Sequence, residues 1–552
     1  MKHWNVFTRL SAVLWLTAPM LLARESSAAK ADPAADSGAA STATTSSPTA
    51  SAETMSPPTP RELMLLDRIE KLEKRLSNLE NGKTSEEPAV VMAPNAPPAA
   101  SVQLVPTPPP SKPIIETPST PLTVSNDEPQ KQEKPEPFAF ADFTWLTGNS
   151  RQTDFPLAGK VFSGEVRADT AYSYSLNHPA DNTIAGSTEV FRHNEIQLTA
   201  FGIGGDFHWN NMRARLLTQY GMYAETQPRN DASPGRGQYN LADAFRYIGE
   251  AYGGYHFDTL YGVNVDAGLF LSYIGLFSFY QFDNWAYQPS FVSSNTPWYF
   301  QGVRVQVYTS EKLKIEPWII NGWQAYGKFN KAPGVGGQVL WRPNGNISIV
   351  SNNYWGTDTL GNPDRKRVHS DNSIQVKYMD RPGDFLNMGA FSVTLDAGCE
   401  YGGGVTCAGG SGKDPAQYFL GFMVYNRFWF VNNTFGLTLG GGQILNPGRY
   451  LVLLPPINGA TAFSGTPYFS TAPGSPFHAW DASITLDYMP IQFTTFRLEY
   501  NHRHANVPYF TGPDGITPEG GNQGLPGSFV PGFTPDLVKT ENRFTLGLLV
   551  KL

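Results

Sequence analysis

Two periodicities divide the chain. Between residues 59 and 82 apolar side chains recur at alternating steps of four and three, whereas from about residue 138 to the end they alternate with polar ones at every second position. The first spacing places Leu65, Ile69, Leu72, Leu76 and Leu79 on one stripe of an α-helix, with Leu65, Leu72 and Leu79 at one heptad position, which is a coiled-coil seam. Thr59-Pro60-Arg61-Glu62 supplies an N-cap, a proline at the first helical position and a glutamate for a capping box, and Gly82 stands where a helix would end. Arg68 and Glu73, then Arg75 and Glu80, fall at flanking positions suited to interchain ion pairs, so self-association is expected over a solitary amphipathic helix.

The second spacing is that of β-strands. Val166, Ala168, Thr170, Tyr172, Tyr174 and Leu176 share one face against Arg167, Asp169, Ala171, Ser173 and Ser175. Met212, Ala214, Leu216, Thr218, Tyr220 and Met222 alternate with Arg213, Arg215, Leu217, Gln219 and Gly221, where Leu217 breaks the polar set. Val303, Val305 and Val307 alternate with Arg304 and Gln306 in the same way. Trp480, Ala482, Ile484, Leu486 and Tyr488 oppose Asp481, Ser483, Thr485 and Asp487, and the last strand sets Phe544, Leu546, Leu548, Val550 and Leu552 against Arg543, Thr545, Gly547, Leu549 and Lys551. An aromatic ring at each end of an apolar band is what two membrane interfaces select. A soluble β-sandwich also alternates, but with shorter strands and a charge-dense polar face.

Several strands reach the roughly 9 to 11 residues needed to cross a bilayer at a tilt. Dividing roughly 415 residues by about 26 per strand and connection predicts an all-β transmembrane antiparallel barrel of about 16 strands, in a range of roughly 14 to 18, around a water-filled lumen. Hairpins are expected at Gly204 to Asn211 and Thr309 to Lys312. Long loops are expected at Gln227 to Gln238, Gly402 to Pro415, Pro455 to Pro476 and Pro508 to Pro535. Short turns on one rim and long loops on the other are the asymmetry of outer-membrane barrels.

Ahead of the barrel the chain reads as a series of short segments. Lys2, His3 and Arg9 precede an apolar stretch from Leu10 to Ala23 and small residues from Ser26 to Ala31, so residues 1–29 are assigned as a signal peptide, with cleavage after Ala28, Ala29 or Ala31. The apolar core is short for an uncleaved membrane anchor. Residues 30–58, rich in Ala, Ser, Thr and Pro, are expected to be disordered; residues 59–82 form the coiled-coil helix; residues 83–137, with Pro108-Pro109-Pro110, form an extended Pro-rich linker; residues 138–552 form the barrel. Cys399 and Cys407, the only cysteines, bracket a Gly-rich interval and predict one local disulfide that staples a loop.

Composition narrows the class further. Of 552 residues only 16% are charged, while 13% are aromatic and Gly and Pro number 53 and 45. After the leader no apolar run approaches the ~20 residues of a membrane helix, so a helical membrane protein is excluded. A formal net charge of -7 argues against a nucleic-acid partner, which needs a surplus of Lys and Arg.

Ala267-Gly268-Leu269-Phe270-Leu271-Ser272-Tyr273-Ile274-Gly275, followed by Asp283-Asn284-Trp285, Asn295-Thr296-Pro297-Trp298, Gly302-Val303-Arg304 and Asn321-Gly322-Trp323, resembles the OmpL-like β-barrel porins of bacterial outer membranes. The resemblance lies in pattern and order and covers most of the chain after Phe138. It implies passive passage of ions and small hydrophilic solutes. The terminal strand departs from the usual insertion signal by ending in Leu552 instead of an aromatic residue. A coiled coil before a barrel is also similar to the arrangement of trimeric specific porins, which implies a homo-trimer with the helix in the periplasm.

Candidate chemistry is sparse. Arg213, Arg215, Arg304, Arg497, Arg503 and Arg543, with Asp481, Asp487 and Glu499, fall on faces assigned to the lumen. Opposed charge there sets ion preference, or else the groups pair with one another and only satisfy the interior. The aromatic run from Phe277 to Trp285 reads as a lipid-facing girdle or as a stacking track for sugars. His502 and His504 share a strand face without a supporting carboxylate or Cys, and Gly440-Gly441-Gly442-Gln443 lacks the Lys of a phosphate loop. No cofactor, metal site or enzyme motif is expected. The predicted function is a porin-like channel; the alternatives are a barrel-anchored tether between outer membrane and cell wall, and a barrel-embedded enzyme.

Overall fold

The computed structural model describes residue 74 and residues 135–552, apart from 185–186, 188, 230, 232, 234–237, 278, 329, 360–361, 409–415, 447–476 and 517–535. The signal peptide, the disordered segment, the coiled-coil seam (Leu65, Ile69, Leu72, Leu76, Leu79) and the linker up to residue 134 lie outside the described residues.

Sixteen strands close into one antiparallel barrel. In chain order they are β1 (Phe162–Ser175), β2 (Glu195–Trp209), β3 (Met212–Thr218), β4 (Ile248–Phe257), β5 (Val263–Leu271), β6 (Tyr299–Ser310), β7 (Leu313–Ile320) and β8 (Gly334–Asn344). There follow β9 (Ile347–Gly356), β10 (Lys366–Asp380), β11 (Leu386–Tyr401), β12 (Tyr418–Phe430), β13 (Phe435–Asn446), β14 (Phe477–Ile491) and β15 (Thr494–Ala505). A small separate hairpin, β16 (Phe510–Thr511) with β17 (Leu537–Val538), precedes the closing strand β18 (Thr540–Lys551). Each strand pairs with its neighbour in sequence, and β18 closes the ring by pairing with β15 on one side and β1 on the other, in a register that sets Tyr174 opposite Phe544 and Arg167 opposite Lys551.

The alternation in the sequence becomes an inside-out burial pattern. On β14, Trp480, Ile484 and Leu486 are 43%, 51% and 46% exposed, while Asp481, Thr485 and Asp487 on the other face are 5% exposed or less. A water-soluble sheet buries its apolar face; here the apolar face looks outward and the polar face is dry. At about 1.5–3 kcal/mol for each large apolar side chain left in water, an outward band of this size needs hydrocarbon around it. Aromatic pairs mark both ends of the band: Phe162 with Phe207 and Phe435 with Tyr488 at one rim, Tyr220 with Tyr247 and Tyr500 with Phe544 at the other.

The two rims differ. Connections at one are short, such as 210–211, 311–312, 345–346 and 492–493; those at the other are long, such as 176–194, 219–247, 272–298 and 506–539. The predicted Gly204–Asn211 hairpin is corrected in extent: β2 runs on through Gly204 to Trp209, and Asn210-Asn211 alone make the turn, with Asn210 in the left-handed region (φ 51°) that asparagine tolerates. The alternation also stops earlier than expected in β3, which ends at Thr218 where the register with β4 shifts.

The expected disulfide Cys399–Cys407 is present and ties the end of β11 to its following loop. The lumen expected from the strand count is narrowed from within. Two stretches of chain cross the interior and pack on the polar faces of the strands.

Candidate functional site

The long β5–β6 connection, residues 272–298, folds into the barrel instead of over its rim. Carboxylates on the wall across from β5 and β6 hold its backbone. Glu499 accepts the Tyr287 N–H at 2.5 Å and the Gln288 N–H at 2.8 Å, and Asp481 accepts the Phe291 N–H at 2.9 Å and the Ser290 hydroxyl at 2.8 Å. Arg497 donates to the Gln281 and Asn284 carbonyls at 3.0 and 2.9 Å, and the Tyr287 hydroxyl donates to Asp169 at 2.9 Å. Arg543 bonds the Gln288 side chain at 3.0 Å, and the Arg503 guanidinium lies 4.0 Å from the centre of the Phe291 ring. A buried loop must satisfy its backbone polar groups, and the alternating charges of β14, β15 and β18 do so.

The chain ahead of β1 makes a second crossing. Phe138 N–H bonds the Glu311 carbonyl in the β6–β7 turn at 2.8 Å, Trp145 is fully buried with its indole donating to the Gly345 carbonyl at 3.1 Å, and Gln492 in the β14–β15 turn accepts the Thr153 and Asp154 N–H groups. Midway, Gly148 meets the inward loop: its N–H bonds the Asp283 carbonyl at 3.1 Å, and a Cβ on it would fall 1.8 Å from the Asn284 oxygen. Arg427 and Arg497 both donate to the Gly148 carbonyl.

Asp283 joins the two crossings. Asn149 donates to it at 2.7 Å, Arg167 of β1 at 3.0 Å and Lys551 of β18 at 3.2 Å. Burial alone would raise this carboxyl, but the two cations and the amide outweigh it and hold the group at about 2.

Each of the nine charges singled out from the sequence faces inward. Arg497 and Asp487 lie opposite each other on β15 and β14, and Arg427 completes the group at 2.7 Å from Asp487. Asp481, Glu499, Arg503 and Arg543 surround the inward loop as described; Arg543 also pairs with Glu541 at 3.0 Å. Arg213, Arg215 and Arg304 stand apart, on β3 and β6. Arg213 and Arg304 share Asp266 at 3.1 and 3.0 Å, and Arg304 stacks on the rings of Tyr252 and Phe270. Arg215 is bound by Glu165, Asp206 and Glu250 at 2.7–2.8 Å. Arg213 is the most exposed of the three, with 29% of its side chain open.

Sequence reasoning put Arg167 and Asp169 on a polar strand face without singling them out, and passed over Asp283, Arg427 and the His369–Asp396 pair at 2.6 Å on β10 and β11. For Arg427, His369 and Asp396 the same two-residue alternation would have placed them inside; Asp283, in a loop, carries no such signal.

The girdle reading of the Phe277–Trp285 aromatics is overturned. Trp285 is fully buried and Tyr280 is 3% exposed, inside the barrel against Trp429 and Tyr223 among others. They belong to the inward loop, residues 272–298, which carries them there. His502 and His504 flank Trp480 on the outward face and bond Asn542 and Thr540. Gly440 is a strand glycine whose missing Cβ makes room for the Tyr425 ring, 2.1 Å from where that atom would sit.

Over residues 162–527, more than half of the chain, the sequence matches the family model described as "Putative beta-barrel porin-2, OmpL-like". No curated protein matches. Solved structures similar to this chain include outer-membrane expressed OmpT of Vibrio cholerae, 10% identical over 72% of this chain and 99% of that one, with a TM-score of 0.40. OprB of Pseudomonas putida is 11% identical over 71% of this chain and 94% of its own, with a TM-score of 0.41. An anion-selective porin from Comamonas acidovorans is 10% identical over 71% and 99%, with a TM-score of 0.38.

Proposed function

The chain belongs to the OmpL-like β-barrel porin-2 family and is an outer-membrane porin, a channel for the diffusion of small solutes; from that premise we propose how its interior selects them. Ions and small hydrophilic solutes pass between the inward loop and the β3–β6 wall, where Arg213, Arg215 and Arg304 face Glu165, Glu250 and Asp266. Arg497, Arg503, Arg543, Asp481, Asp487 and Glu499, buried behind the loop on the opposite wall, fix the loop whose position sets the bore. Opposed charge across a low-dielectric bore gives a transverse field that orders polar solutes and discriminates by charge. The protein performs no turnover in this reading.

The observation that carries the reading is the inverted burial of a closed barrel: an apolar band outside, charge inside. Proteoliposomes holding the purified full-length protein should swell in small sugars and progressively less as the sugar grows. A rate equal to that of protein-free liposomes for every solute would reject it.

We further propose a homo-trimer with the residue 59–82 coiled coil in the periplasm, supported by the heptad spacing and by the short-turn rim, which in outer-membrane barrels faces that compartment and which the chain ahead of β1 approaches. Contact of the N-terminal stalk with the cell wall is the companion proposal. Deletion of residues 31–137 should loosen envelope attachment and leave permeability intact; unchanged attachment would count against it.

A further inference from the structure

The segment ahead of β1 is more than a lead-in. Its two rim anchors, the β6–β7 turn at Phe138 and the β14–β15 turn at Thr153 and Asp154, are eight strands apart in a ring of sixteen, so the segment spans the short-turn mouth along a diameter. An ordinary connection to β1 would follow the rim. This one is also internally braced: Arg151 pairs with Asp142 and donates to the Thr144 hydroxyl at 2.8 Å. Lys312 and Arg342 from the short-turn rim lie over the rings of Phe140, Phe138 and Phe143. It lies ahead of residue 162, where the family match starts.

We infer that residues 138–154 are a built-in plug that shuts the short-turn mouth, latched through Asp283 to the inward loop, and that the channel conducts fully only when this strap leaves. The inference rests on the porin reading and names its regulation. Three facts support it. Trp145 is wholly buried inside the mouth, which a passive linker has no reason to achieve. Gly148 approaches the loop so closely that no other residue fits, so strap and loop form one continuous obstruction. Arg427 and Arg497, the inward cations at that depth, spend hydrogen bonds on the Gly148 carbonyl and are 0% and 1% exposed, so they cannot face a permeant ion while the strap is seated. The strap holds by hydrogen bonds, three ring–cation contacts and one large aromatic anchor and adds no strand to the continuous sixteen-strand ladder, and so is the part free to detach without unfolding the barrel.

The test is single-channel recording on full-length protein in planar bilayers. One variant replaces residues 139–153 with a Gly/Ser linker of equal length; a second carries Gly148→Val, whose side chain would collide with Asn284 and the Arg497 guanidinium and so wedges strap from loop. Folded barrels are selected by heat-modifiable gel migration, and if the linker variant fails that selection the Gly148→Val protein carries the comparison. Native protein should show small or rare openings, and both variants a severalfold larger mean conductance. Equal conductance in native and variant channels would overturn the plug and leave the porin intact. Silence in all of them would also overturn it, since removing the strap would not have opened the path, and would count against the porin reading as well.

Discussion

Asp487 sits directly across the β14–β15 ladder from Arg497 and receives it bidentately, Nε to Oδ1 at 2.6 Å and Nη2 to Oδ2 at 3.1 Å, while Arg427 reaches the same carboxylate from β12 at 2.7 Å. One buried anion thus serves two fully buried cations, and the Gly148 carbonyl takes part of the remaining charge. Removing one partner of such a group strands the rest. Asp487→Asn should cost about 3–5 kcal/mol, as breaking a buried ion pair commonly does, measured by denaturant unfolding in detergent. Arg427→Gln, which leaves one pair intact, should cost less.

Arg213 and Arg215 are neighbours on the same inward face but differ in company. Arg213→Gln should shift the reversal potential in a salt gradient toward cations, because a partly open cation is lost beside Asp266, which keeps Arg304. Arg215→Gln removes the hub of Glu165, Asp206 and Glu250. It should shift selectivity in the same direction and, unlike Arg213→Gln, lower the unfolding midpoint as well. An unmoved reversal potential in both would place them off the path.

Acid should loosen the interior at the junction of strap and loop. The Asp283 carboxyl, at about 2 in the folded protein, lies below its unfolded value of about 3.9, so between these values the unfolded chain binds more protons and stability rises with pH. The contribution, about 2.6 kcal/mol by that difference, is complete above about pH 5 and is lost as the pH falls from about 4 to 2. Tryptophan fluorescence, with Trp145 and Trp285 buried on either side of this junction, should report the loosening; Asp283→Asn should flatten that acid response.

Reduction of Cys399–Cys407 should leave the barrel standing. The bond closes a short loop after β11 and crosses no strand pair, so its stabilisation, about 2–3 kcal/mol for a loop of this size, concerns the local connection. Limited proteolysis with and without reductant should show faster cutting within residues 402–417 and an unchanged unfolding midpoint.

The barrel was legible because its rule is local. Whether Asp481 or Ile484 faces inward follows from parity along one strand, and sixteen strands follow from chain length and a hydrophobic band of fixed height. The contents of the barrel were not legible. Residues 272–298 contain Phe277, Tyr280 and Trp285, whose apolar character suits lipid and a buried plug equally, and nothing local tells a loop to fold in or lie over the rim. The decision is made by distant residues, Glu499 and Asp481, each more than 180 positions away in sequence. The strap was missed for a related reason. Residues 138–154 carry no two-residue alternation, and their anchor Trp145 finds its acceptor 200 positions later at Gly345.

One exception to parity was itself a sign of the filled interior. Leu217 occupies an inward position on β3 among arginines and is fully buried, packed with Tyr223 and Tyr280, and Leu549 does the same on β18. In a hollow, wet barrel an inward leucine would be a cost, and exchanging it for glutamine would be neutral or better. In this barrel it abuts aromatic rings from the long connections, so Leu217→Gln should bury an amide in an apolar cluster and cost about 2–4 kcal/mol. Leu216→Gln, one residue away on the outward face, loses lipid contact instead. The two can be separated by solvent: in a detergent series of decreasing acyl length the Leu216→Gln deficit should shrink, while that of Leu217→Gln stays constant, because no detergent reaches it. A Leu217→Gln protein as stable as the native one would mean that the space beside β3 is open to water.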